Sequence, residues 1–458
     1  MGGLPVVPTN LSHGCSAKLT FVTNFAKLGL FGGCRQVNLC VEKSGLSGQV
    51  RMPASKSHTI RAVAIGSLAY GTSRVQNPLR SADTLYAVDV YEKLGAKITL
   101  EDDWIIRGTG GKLSVPEDVL DVGNSGTTLY IAIGSAALID GYSVFTGDQQ
   151  IRNRPAGPLL DAVTHLGARA LSTRGNGRPP LIIGGPMNGG RAYVDASKTS
   201  QYVTSLLINC PVASADADIL VRDLVEKPYI EMTLGWLDEQ GIRYEREGYD
   251  HFVIPGGQNY NAFEKSIPGD FSSATFFLCA AAITGSELTL LGLDMADSQG
   301  DKAVVDMLRE MGAKVEQLPE GIRITGGDLR GGEFDLEDTP DALPAMAVTA
   351  CFADGVTSLV NVKQARHKET DRIKLMRKEL AKMGGKVEEL PDGLVITGSP
   401  LRGAKVNGHK DHRVVMALAV AGLAADGVTE IDTAEAMSIT FPNFTELMQE
   451  AGAKIEVC

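Results

Sequence analysis

The hydrophobic positions change rhythm between Val304 and Ile324. Val304, Met307, Leu308 and Met311 recur at helical spacing, which gives a helix with one apolar face. Gly312 suits the left-handed residue that ends a helix. Lys314-Val315-Glu316 then opens a strand, Pro319-Glu320-Gly321 supplies a turn, and Ile322-Arg323-Ile324 returns as the hairpin partner. The same order of helix, glycine and strand recurs at Gly95, Gly167, Gly241, Gly312, Gly384 and Gly452, spaced 72, 74, 71, 72 and 68 residues apart. A unit of about 70 residues must cover both faces of its small sheet, so several units have to pack together. Six copies in 458 residues predict three units in each of two domains.

Apolar helices are also expected after Arg61, from Leu129 to Leu138 and from Val414 to Leu423, together with a helix from Ile373 to Met383. The longest apolar run, Met416 to Ala425, is far shorter than the roughly 20 residues of a membrane span. Composition adds little to this picture: 43% hydrophobic and 22% charged residues suit a soluble globular chain. Charge adds more. A net charge of −11 argues against a nucleic-acid partner, yet a few converging cations still make a positive cleft for small anions. The seven cysteines include no CxxC pair, and those from Cys210 onward, Cys458 among them, read as small hydrophobes in a reducing, cytoplasmic compartment rather than as disulfides. Residues 1–40 lack Asp and Glu, as targeting peptides do, but they are not Arg-rich and have no clear cleavage pattern. They read as an N-terminal extension without a catalytic role.

Four segments put charge or glycine where a core would not want them. Pro53 to Arg61 carries Ser55, Lys56, Ser57 and Arg61 into a helix start, where anions are attracted. Gly123-Asn124-Ser125-Gly126-Thr127-Thr128 precedes another helix, and its glycines let backbone N–H groups approach an anion. Arg366 to Arg372 gathers cations and two carboxylates ahead of a third helix, and Asp411-His412-Arg413 precedes a fourth. A buried arginine in such a place needs an anionic partner. There is no Gly-x-x-x-x-Gly-Lys-[Ser/Thr] loop and no metal-ligand spacing of His, Cys and Asp. The expected chemistry is therefore acid–base work on phosphate- or carboxylate-bearing substrates, with no cofactor and no metal.

The blocks Ser55-Lys56-Ser57…Arg61, Gly123 to Thr127, Arg154-Pro155, Ser200-Gln201, Lys227-Pro228-Tyr229, Gly269-Asp270, Gln299-Gly300-Asp301, Pro340-Asp341-Ala342, Lys368 to Arg372, Asp411-His412-Arg413 and Phe441-Pro442 follow one another in an order that resembles the 5-enolpyruvylshikimate-3-phosphate synthase family. The sister family acting on UDP-N-acetylglucosamine usually has Lys-Asn for Lys56-Ser57 and a loop cysteine, which Asp148 to Pro155 lacks. The resemblance implies an α/β fold, a two-domain inside-out barrel with three βαβαββ repeats per domain. Domain I would comprise 41–53 plus 269–458 and domain II 54–268, closing on a shared cleft.

It also implies transfer of the enolpyruvyl group of phosphoenolpyruvate to the 5-hydroxyl of shikimate 3-phosphate. In that reading Lys56, Ser57, Arg61, Thr199, Ser200, Gln201, Tyr229, Asp341 and Lys368 hold shikimate 3-phosphate. Lys56, Gly126, Arg154, Gln201, Arg372 and Arg413 hold phosphoenolpyruvate, and Asp341, Glu369 and Lys56 are catalytic. Both substrates are small molecules, and nothing demands more than a monomer. Four positions depart from the common pattern: Tyr130 and Gln150 stand where many or some members have arginine, Glu226 replaces a frequent serine, and Ile439 stands where one branch has lysine.

Overall fold

The protein is described here by a computed structural model covering residues 37–458. The reading of 1–40 as an extension therefore lies outside the described residues for positions 1–36. Its last positions do not behave as an extension: strand Leu39–Glu42 pairs on both sides, and Leu39 and Val41 are fully buried. That boundary moves toward the N-terminus because alternate residues of this strand face a core.

Among the described residues the strands form six four-stranded sheets, one per repeat. Leu120–Asp121 runs parallel to Tyr142–Thr146, and the hairpin of Arg169–Ser172 and Leu181–Gly184 completes that sheet. Parallel neighbours need a crossover, here helix Gly126–Ala136, and helix Gly157–His165 leads into the hairpin. The βαβαββ order follows. Helix Ala303–Met311 ends on Gly312 at φ 114, and Lys314–Leu318 pairs with Gly321–Thr325 as the hydrophobic rhythm predicts. All six repeat glycines have positive φ, where a Cβ would be strained.

Three sheets take one strand from a distant part of the chain. Glu264–Ser266 lies beside Thr72–Gln76, and Gln49–Arg51 beside Glu287–Leu291. Leu39–Glu42 is inserted between Thr429–Asp432 and Lys454–Val457 and completes the sixth sheet.

Two hydrophobic cores result, one drawing on Leu39 to Met52 and Phe271 to Ile455, the other on Ala54 to Ile267. The chain passes between them twice at one place, where Ala54 bridges Gly269 and Ser55 N–H donates to Pro268 O at 2.8 Å. At the centre of one core, helices Lys56–Leu68, Gly126–Ala136 and Gln201–Asn209 are buried on nearly every side. Phe271–Thr284, Leu343–Cys351 and His412–Ala424 fill the other in the same way. Helices apolar all round belong inside, and the sheets with their amphipathic helices wrap them. Small residues set the spacing: a Cβ on Gly134 would stand 2.5 Å from Asn209 Nδ2. None of the described helices is long and apolar enough to cross a membrane.

The cysteine reading needs one correction. Cys210, Cys279 and Cys351 are buried free thiols, as expected, but Cys458 forms a disulfide with Cys40. The pairing depends on the N-terminal strand lying next to the C-terminal one, a contact between residues 418 apart in sequence.

Candidate active site

The cleft between the cores is lined by the first turns of their central helices. Lys56 and Ser57 open Lys56–Leu68, Gly126 and Thr127 open Gly126–Ala136, and Gln201 opens Gln201–Asn209. Facing them, Asp270 caps Phe271–Thr284, Arg372 begins Arg372–Lys382 with Glu369 just ahead of it, and His412 and Arg413 begin His412–Ala424. Asp341 sits in the 3-10 turn Pro340–Ala342. Free N–H groups at helix starts favour anions, and the added lysines and arginines strengthen that preference.

Arg372 is 1% exposed and tied to three carboxylates. Its Nη1 donates to Asp341 Oδ1 at 2.8 Å, its Nε to Asp411 Oδ2 at 2.9 Å, and its Nη2 to Glu369 Oε2. Arg413 Nη2 reaches the other oxygen of Asp341 at 3.0 Å and donates to Ser272 Oγ at 2.6 Å. Glu369 is shared across the cleft, because Arg154 Nη2 from the opposite lobe meets its Oε1 at 2.5 Å. Burial would push the Glu369 carboxyl up, but Arg154 and Arg372 outweigh it and hold it well below the usual carboxylate range. Asp341 is part-buried, which pushes its carboxyl up, yet Arg413, Lys368 and Arg372 outweigh that and keep it ionised.

The other lobe is arranged differently. Arg61 is 2% exposed and makes no ion pair among the described residues. It donates to Thr233 Oγ1 at 3.0 Å, Tyr229 O at 3.0 Å and Ser57 O at 3.1 Å, and burial lowers its pKa to about 10. Lys56 Nζ meets Asp83 Oδ2 at 3.1 Å. Glu226, 1% exposed, accepts from Thr199 Oγ1 at 3.1 Å and from Ser200 N and Oγ, each at 3.3 Å. Its second oxygen takes Lys368 Nζ from across the cleft.

Of the residues expected at the site, Lys56, Ser57, Arg61, Gly126, Arg154, Gln201, Tyr229, Asp341, Lys368, Glu369, Arg372 and Arg413 all line this one cleft. Thr199 and Ser200 lie behind Glu226, which takes their donors. A Cβ on Gly126 would fall 2.5 Å from Arg154 Nη1, so this glycine makes room for the guanidinium. Four ionisable lining groups carried no assigned role: Glu226, Asp270, Asp301 and His412. Burial, and then the nearby Asp341 charge, push Asp301 up to about 7. Burial lowers His412 to about 3, so its imidazole faces the cleft neutral. Three of the four stood inside quoted blocks, but their burial could not be read from neighbours in sequence.

The departures from the family pattern find local explanations. Tyr130 and Tyr202 both donate to Pro155 O, at 2.9 and 2.6 Å, and so fix the residue after Arg154. Arg152 turns away and donates to Gly147 O. Gln150 accepts from Asn124 Nδ2 at 2.6 Å and donates to Lys410 O of the other lobe at 3.2 Å. Ile439 packs against a core.

Residues 41–448 match the profile of the family described as EPSP synthase (3-phosphoshikimate 1-carboxyvinyltransferase). A 3-phosphoshikimate 1-carboxyvinyltransferase of Acetivibrio thermocellus is 56% identical over 421 residues, covering 92% of this chain and 99% of that protein. The protein of the same name from Ruminiclostridium cellulolyticum is 52% identical over 420 residues, with coverages of 92% and 99%. An EPSP synthase structure from Acinetobacter baumannii is similar at a TM-score of 0.78 and 27% identity, covering 92% of this chain and 100% of that one. With the six-sheet inside-out fold and the cation-lined cleft, these likenesses show that the chain belongs to the EPSP synthase family.

Proposed function

We propose that the cleft moves the enolpyruvyl group of phosphoenolpyruvate onto the 5-hydroxyl of shikimate 3-phosphate and releases phosphate. Addition forms a tetrahedral intermediate and elimination resolves it. Addition needs an acid at C3 of the enol and a base on the attacking hydroxyl. Asp341, ionised and part-buried, takes the hydroxyl proton, with Lys368 beside it. Glu369 moves the proton at C3.

The observation that carries this reading is the sharing of Glu369 between Arg154 and Arg372. The same two guanidiniums are the natural partners of the phosphate and carboxylate of phosphoenolpyruvate, together with Lys56, Gly126, Gln201 and Arg413. When those anions arrive, the charges that hold Glu369 ionised are neutralised and its proton affinity rises. Substrate binding thus arms the acid. Arg61, whose buried charge faces only neutral acceptors, suits the carboxylate of the acceptor, with Ser57 and Tyr229 on the ring and Thr199, Ser200 and Gln201 toward its phosphate.

The two lobes, 41–53 with 269–458 and 54–268, close on the pair of substrates and exclude water. One chain supplies all these groups, so a monomer suffices for the reaction. A cytoplasmic location is supported by the three buried thiols, and the Cys40–Cys458 bond is the observation against it. The test is phosphate release from phosphoenolpyruvate with and without shikimate 3-phosphate, the product being identified by mass. Release that depends on the acceptor supports the proposal, and its absence with that acceptor sinks it.

A further inference from the structure

We propose that Glu226 is a built-in anion that occupies the cradle meant for the phosphate of the acceptor and sets how weakly that substrate binds. The inference rests on the reading above that Thr199 and Ser200 face this phosphate. One carboxylate oxygen gathers three donors, the Thr199 hydroxyl, the Ser200 hydroxyl and the Ser200 N–H, at the start of the nine-residue helix Gln201–Asn209. Three converging donors at a helix start form an oxyanion cradle. The other oxygen holds Lys368, which lines the cleft, so the cation opposite the cradle is engaged as well.

The arrangement is built rather than incidental. Glu226 sits at φ 59 and ψ 44, a left-handed conformation uncommon for glutamate, and it is 1% exposed. The next residue fixes the position, because Lys227 N–H donates to Asp338 Oδ1 of the other lobe at 3.0 Å. An arriving phosphate cannot share three donors with a carboxylate, since two anions in one desolvated cradle repel each other. Glu226 gives way, and Lys368 passes from Glu226 to the substrate. Occupancy of the cradle by acceptor and release of Lys368 beside Asp341 are then one event.

Steady-state kinetics of Glu226→Ser test this in the full chain, with inorganic phosphate as a competitive probe against shikimate 3-phosphate. Removing the internal anion is expected to lower KM for shikimate 3-phosphate and the inhibition constant of phosphate by about tenfold each, with KM for phosphoenolpyruvate changed less than about twofold. Glu226→Gln keeps the shape and loses the charge, so it moves both constants the same way and carries the test if the serine variant does not fold. A KM for shikimate 3-phosphate that is unchanged or higher in the folded variants makes Glu226 a structural cap and overturns the inference. Ser200→Ala separates the two claims. If it raises the acceptor KM while Glu226→Gln has no effect, the cradle stands and only the inference fails. If Ser200→Ala has no effect, the phosphate placement itself is wrong.

Discussion

Helices Lys56–Leu68, Gly126–Ala136 and Gln201–Asn209 start behind Ser55, Ser125 and Ser200, whereas Phe271–Thr284, Arg372–Lys382 and His412–Ala424 start behind Asp270, Asp371 and Asp411. The aspartates accept from the first-turn N–H groups of Ser273, Lys374 and Arg413 at 2.9, 3.1 and 2.9 Å. One repeat has thus been given two kinds of helix end. The aspartates satisfy first-turn N–H groups internally; Ser125 does the same for Thr128 N–H, Ser55 makes no such cap, and the Ser200 N–H goes to Glu226. The first lobe brings Lys56, Arg61 and Arg154 to the cleft, the second Asp341 and Glu369 beside Arg372 and Arg413. The second lobe's arginines are already balanced, Arg372 by three carboxylates, while Arg61 in the first lobe carries an unbalanced charge.

Substitutions that break this division differ in what they damage. The largest effect belongs to the second lobe: Glu369→Gln should lower kcat about a thousandfold while calorimetry still detects both substrates. A binding loss of similar size would give Glu369 a holding role instead. Next comes the contrast between the two buried arginines. Arg372→Met leaves buried Asp411 without its cation and takes one of two from Asp341 and from Glu369, and should cost about 3–5 kcal/mol in urea unfolding. Arg61→Met should change stability by less than about 1 kcal/mol, because it strands no charge, yet raise the acceptor KM about tenfold or more. Equal destabilisation by the two would erase the distinction between the lobes.

Gly126→Ala comes third. Its methyl displaces the end of Arg154 rather than any backbone, so Tm should hold while KM for phosphoenolpyruvate rises about tenfold. A fourth effect is read from pH. Asp301 titrates near 7 in the folded chain against an ordinary value of 3.8, so the folded state keeps a proton that the unfolded state has released. Its contribution to stability is therefore lost as pH rises from about 4 to about 7. Asp301→Asn should gain on the parent over that interval and run parallel to it above, as melting curves at successive pH values would show.

The local rhythm of the sequence carries far. The hairpin of Lys314–Leu318 with Gly321–Thr325, the left-handed glycines and the charged helix starts follow from residues within about one repeat of each other. What stayed hidden joins distant parts of the chain. The strand that completes the sixth sheet comes from the N-terminal end, the disulfide depends on that insertion, and Glu226 meets Lys368 across 142 residues. The departure at Glu226 could be seen in the sequence, but its occupation of the Ser200 donors could not, because two helices of one lobe must first converge. Tyr130 is similar: its place in the order of blocks marked it as unusual, and only packing against Tyr202 and Pro155 O gives it work.

The insertion of Leu39–Glu42 between Thr429–Asp432 and Lys454–Val457 also imposes a timetable on synthesis. The lobe built from Ala54 to Ile267 can form its core while the ribosome is still at work on the other. Leu39–Glu42 leaves the ribosome long before either neighbour exists and, at ordinary elongation rates, waits roughly 20–80 s for them. During that time a strand with two unpaired edges is exposed, so among the described strands Leu39–Glu42 is the one that most needs shielding by chaperones in the growing chain.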